Sequence, residues 1–171
     1  MTAKASIAMT VSGGQQGADT FGGGPFWNGA ISFAAALGSG VAAKQIDILY
    51  MAERSVAASA NDDIDLAGVL TDALGAAVAA AELVGIIVVN EPKDRAAARN
   101  LSSLTLGGAT NPVPGFSAAI VPIEPGGMFA AFSPGAAGLA TVTAATGDKI
   151  RVANGAGGTA KYQIAILARS A

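Results

Sequence analysis

Carboxylates crowd one short stretch of this chain, Asp62-Asp63-Ile64-Asp65, with Asp72 close behind. Three or four carboxylates together are the ligand type of a hard cation such as calcium. Neighbouring residues of an extended segment point to opposite faces, so Asp63 and Asp65 converge while Asp62 turns away. No stretch has the alternating ligands and terminal Glu of a calcium loop. The cluster therefore reads as a charged rim that blocks edge pairing or caps a turn. No metal ligand is assigned, and nothing marks a carboxylate pair for acid–base work.

The other chemistries fail on residue type. The chain has neither His nor Cys. That removes the common general base near neutral pH, thiol nucleophiles, disulfides and the usual zinc ligands. A serine nucleophile would need a lysine or carboxylate to activate it, and no Ser-x-x-Lys occurs. Glycine runs at Gly13-Gly14, Gly22-Gly23-Gly24 and Gly155–Gly158 lack the Lys-Ser or Lys-Thr that follows in a phosphate loop. They read as bends. No catalytic residue and no cofactor is expected, and the chain is read as a non-enzyme.

Composition narrows the rest. Hydrophobic residues make up 51% of the 171 and charged residues only 13%, half the usual quarter. Basic residues are scattered, and the closest group, Lys93 to Arg99, has Glu91 and Asp94 beside it. Nucleic-acid binding, which needs a basic patch, is not expected. The start, Met1-Thr2-Ala3-Lys4, leads into no signal-peptide run, and Val69 to Asn90 is too interrupted to span a membrane. A surface this poor in charge is expected to be covered by neighbours.

The elements that would present such a surface are short and extended. Period-two alternation marks strands at Lys4–Val11, Ile31–Leu37, Lys44–Arg54, Leu83–Asn90, Asn100–Leu106, Ala118–Ile123, Met128–Phe132, Leu139–Ala144, Lys149–Asn154 and Lys161–Arg169. Asn61–Asp65 reads as a turn or strand rim. Thr71–Leu74 is the one candidate for a short helix. Thr146-Gly147-Asp148 reads as a hairpin turn. This spacing predicts an all-β antiparallel β-sandwich, a jelly roll being one such arrangement, with at most one short helix.

The stretch Ser12–Gly29 reads as a long glycine-rich loop. It carries Phe21, Phe26 and Trp27, three of the chain's nine aromatics (six Phe, two Tyr, one Trp). These either plug back onto the core or dock on a partner, and they are the candidate partner-binding residues. Residues 1–29 are read as a strand and loop forming an attachment arm, and residues 30–171 as the sandwich.

Several segments carry a resemblance. They are Asp63-Ile-Asp-Leu-Ala-Gly-Val-Leu-Thr-Asp-Ala-Leu-Gly75, Leu83–Asn90, Gly107-Gly-Ala-Thr-Asn111, Pro125-Gly-Gly-Met-Phe129, Val142–Asn154 and the Tyr162 strand. In order and content the chain from residue 60 onward resembles small structural proteins of tailed bacteriophages, most of all capsid decoration (cement) proteins. The resemblance implies a virion component on the outer capsid surface. It implies the major capsid protein and neighbouring copies as partners, a trimer among the arrangements, without nucleic acid or membrane. Family members carry a larger aromatic near the positions of Leu74 and Val78. A tail, fibre or baseplate role is the alternative within a virion. A non-viral carbohydrate-binding module is the other alternative, for which Trp27, Tyr50 and Tyr162 are the candidates.

Overall fold

The computed structural model describes residues 2–18, 23–118 and 122–171. The chain is all-β, with no helix among those residues. The strands are β1 (Ala5–Gln16), β2 (Phe26–Ser39), β3 (Gln45–Ile46), β4 (Ile48–Val56), β5 (Asn61–Asp65) and β6 (Glu82–Val89). They continue with β7 (Leu104–Leu106), β8 (Pro122–Ile123), β9 (Met128–Phe132), β10 (Ala140–Thr141), β11 (Lys149–Asn154) and β12 (Ala160–Arg169).

Two antiparallel sheets form the sandwich. One runs β4-β12-β6, with β9 and β10 sharing the far edge of β6, and the other runs β5-β11-β7-β8. Alternation along each strand fills the space between them. Tyr162, Ile164 and Ile166 of β12 and Ile86 and Val88 of β6 meet Ile64, Leu104, Leu106, Ile150 and Val152 of the facing sheet in one buried cluster.

The outer face of the β4-β12-β6 sheet has its own smaller core. Val84, Leu167, Leu37 and Ile46 are buried there, with Ala5, Ile7, Leu49 and Phe132 packed around them. A β-bulge makes this possible. Leu167 lies opposite Gly85 and Ala168 opposite Leu83, so Val84 is the extra residue on β6. Leu83 therefore joins the main core while Val84 joins the outer one.

Arg169 holds the edge of this outer core. It is 0% exposed. Its guanidinium donates to Glu82 Oε2 at 2.7 Å, to Gln45 O at 3.0 Å, and to the carbonyls of Gly135 and Ala136 at 2.7 and 2.9 Å. One side chain thus joins β3, β6 and the 134–136 loop. A fork of five donors suits that task, and an ammonium does not.

Three expectations are corrected. Thr71–Leu74 is not helical: Thr71 bridges Ala77, and Asp72 Oδ1 accepts from the amides of Leu74 and Ala76, both at 2.9 Å. Gly75 sits at φ +83°, where a helix cannot continue. The turn at Thr146–Asp148 exists, closed across a single antiparallel bridge by the Gly147 amide on Thr143 O at 2.8 Å, but no strand pair extends from it. Its flanking strands part company, β10 to β6 in one sheet and β11 to β5 and β7 in the other. Ser12–Gly29 is not one loop: Ser12–Gln16 continues β1 and Phe26–Gly29 begins β2, so a boundary at 29/30 falls inside a strand. Of the strand expected over 118–123, Pro122 and Ile123 are extended, and 119–121 lie outside the described residues.

Replacing Arg169 with Met should lower the unfolding free energy by about 3–5 kcal/mol, because Glu82 and three carbonyls lose a buried partner. Urea denaturation measures it. Arg169→Lys should recover little of the loss, and a neutral Arg169→Met would mean the clamp does not stabilise the fold.

Candidate docking surface

The site is built on one long ribbon. β1 and β2 pair antiparallel without a break from Ala5↔Leu37 to Gln16↔Phe26. Every partner pair joins two odd or two even residues, so the ribbon has two faces of constant composition. The odd face carries Ala5/Leu37, Ile7/Ala35, Met9/Phe33, Val11/Ile31, Gly13/Gly29 and Gln15/Trp27. The even face carries small and polar side chains as far as Phe26 at the tip, among them Thr10 and Ser32, whose hydroxyls lie 3.2 Å apart.

The apolar stripe starts inside the protein and ends outside it. Leu37 is buried in the outer core, and Phe33 packs edge-on to Phe132 with ring centroids 5.8 Å apart. Beyond that point the stripe leaves the body. Val11 is 65% exposed, Ile31 78% and Trp27 63%. Phe26, on the opposite face at the tip, is 67% exposed.

Glycine positions the indole. The Trp27 ring lies where a Cβ on Gly29 would sit, and Gly13 across from it meets nothing. Any side chain at residue 29 would push the ring off the ribbon. Phe26 and Trp27 therefore do not plug back onto the core. Phe21 lies outside the described residues.

Two further features make the ribbon unusual. The twelve residues of β1 and the fourteen of β2 include no Asp, Glu, Lys or Arg. Among the described residues the outer edge of β1 pairs with nothing, and β2 gains only a short parallel contact, Gly38–Ser39 against Gln45–Ile46. Free edges are normally guarded by charge, proline or brevity. This one has none of these along its strands.

Where the ribbon meets the body, a groove of about 260 Å³ opens between Ile7, Met9 and Phe33 on one side and Ile87, Met128 and Ala130 on the other. The sequence does not bring these segments together. Alternation within each strand is readable, but the β9–β6 register that aligns Met128 with Val89 and Ala130 with Ile87 is not.

The acidic stretch is committed to structure. Asp62 accepts two bonds from Arg54, both at 2.7 Å, and one from the Tyr162 hydroxyl at 2.7 Å. Asp63 takes a two-pronged bond from Arg151 at 2.6 and 2.8 Å. Asp65 Oδ1 accepts from the Ala67 amide at 2.9 Å. No group of three or more acidic residues that could hold a metal occurs among the described residues. Tyr50 and Tyr162 are buried, and Tyr50 accepts from Arg54 at 2.9 Å, so neither joins Trp27 in a groove.

Burial alone would push the Asp62 carboxyl up, but the bonds from Arg54 and Tyr162 outweigh it and hold it below the usual carboxylate range. The Asp63 carboxyl is lowered by its bond to Arg151. The Tyr162 phenol is raised, first by burial and then by Asp62. No family model, curated protein or solved structure matches this chain.

A carboxyl lowered in the folded state contributes stability above its unfolded value of about 4, and that stability is lost as the pH falls through the folded value. Denaturation midpoints should therefore drop as the pH goes below about 4. Asp62→Asn should destabilise the protein by about 1.5–3 kcal/mol at pH 7 and flatten that acid dependence. An unchanged acid slope in the variant would contradict the pairing.

Proposed function

We propose that this chain is a non-catalytic assembly protein, a decoration component of a tailed-phage capsid, and that the β1–β2 ribbon is its attachment element. The carrying observation is the ribbon itself: an uncharged two-stranded arm with a continuous apolar face and an unpaired edge, projecting from a well-packed sandwich. Apolar surface that is contiguous and unguarded marks contact with another protein. The phage assignment rests on the sequence resemblance from residue 60 onward, and the major capsid protein is the partner it implies.

On this reading the sandwich supplies a rigid platform and the ribbon supplies reach. A decoration role accounts for the low charge of the whole chain, because a protein packed among shell subunits exposes only part of its surface to water. The acidic stretch keeps a structural task, with Asp62 joining the two sheets through Arg54 and Asp63 tying β5 to β11 through Arg151.

Two measurements test the proposal. Quantitative mass spectrometry of the particle that contains this chain should find it stoichiometric with the major shell subunit. Tail-like abundance would move it to a tail or baseplate role. A shortened form, with residues 11–31 replaced by Asn-Gly, keeps the Thr10–Ser32 pair and closes it with a tight turn. It should fold and unfold like the full chain yet fail to bind the shell, and retained binding would remove the ribbon from the attachment.

A further inference from the structure

We propose that the groove at the root of the ribbon is the seat for Trp27 of a second copy, so that copies join tip to root. The inference rests on the reading of the ribbon as an attachment element and names one of its partners as the chain itself.

The groove is apolar on every side. Ile7, Met9 and Phe33 come from the ribbon, and Ile87, Met128, Ala130 and Phe132 come from the outer sheet face. It runs straight into the outer core, which Ile7 and Phe132 help to build. An aromatic side chain entering it would extend a cluster that is already dry and packed. Buried aromatic anchors in such pockets carry most of the energy of protein contacts.

Trp27 is the matching knob. It is the chain's one tryptophan, it is exposed, and it is propped over Gly29 on the apolar face of the ribbon. It cannot fill its own groove. Its pair Gln15 lies eight residues along β1 from Ile7, about 26 Å at the rise of a regular strand, and the register has no break where the ribbon could fold back. The occupant must therefore come from another molecule.

The charges agree. No charged side chain lines the groove, and none lies on β1 or β2. A charged peptide would lose solvation there without a partner, whereas the ribbon of a second copy would not. Because tip and root are different patches, the contact is heterologous, and it closes into a ring when the rotation between copies allows.

The purified full chain tests this. Trp27 is the only indole, so its emission reports the seat directly. Emission should be blue-shifted in concentrated solution and move red on dilution, in step with loss of the oligomer in sedimentation velocity. Trp27→Ala, which keeps the groove, and Ala130→Phe, which fills it, should each be monomeric. Met128→Lys, at the exposed mouth, serves as a second groove variant, with circular dichroism confirming that each is folded.

Mixing Trp27→Ala with a folded groove variant should give a pair that grows no further, because one intact knob meets one intact seat. A wild-type chain that stays monomeric with red emission, oligomers that survive the single substitutions, or a mixture without association would overturn the inference. A monomer that still coats the shell would leave the decoration role standing, and a ring that never binds a shell would do the reverse.

Discussion

The unbroken register of β1 with β2 is the constraint from which the rest follows. Because every partner pair joins residues of the same parity, each apolar side chain at an odd position adds to one face. A single-residue slip would send Ile7, Met9 and Val11 to the opposite side from Ile31 and Phe33 and break the stripe. The buried end fixes this register. Leu37 and Ala5 are packed against Val84, Leu167 and Leu49, and those contacts hold only one alignment of the two strands.

The body is built to hold that root still. The bulge at Val84 turns an apolar side chain outward where the ribbon needs it. Arg169, at the end of the central strand β12, ties β3 and the 134–136 loop to β6 directly beside the ribbon's base. Buried amides do similar work elsewhere. Asn154 donates to the carbonyls of Val56, Ala57 and Gly158, and Asn90 to those of Ser102 and Ile123. Loops are satisfied from within, while the long outer edge of β1 keeps its hydrogen-bonding capacity unspent.

Most of the sandwich was legible in the sequence because its strands alternate cleanly. Ile150 and Val152 against Lys149 and Arg151, or Tyr162, Ile164 and Ile166 against Lys161 and Gln163, announce their buried faces. The ribbon is missed because glycine reads as punctuation in a single strand, whereas the partner strand decides. Gly13, Gly14 and Gly29 weaken strand propensity, yet they sit in register in a ribbon whose phase was already set by Ile7, Met9 and Val11. At Thr71–Leu74, alanine-rich composition suggested helix, but an Asp side chain and a left-handed glycine made a turn. Which sheet receives β10 and which receives β11 depends on contacts far away in the chain, which local pattern does not encode. Composition points to the aromatic pair Phe26 and Trp27; the groove that faces the ribbon is not legible, because its walls come from four separated segments.

The central claim is that the ribbon's free edge and apolar face are covered when the protein is at work. Amide hydrogen exchange compares the isolated chain with the assembled particle directly. The account predicts that the outward amides of β1 between Met9 and Gln16 exchange freely in the dilute chain and become strongly protected in the particle, while the sandwich strands change little. Equal exchange of the ribbon in both states would contradict it.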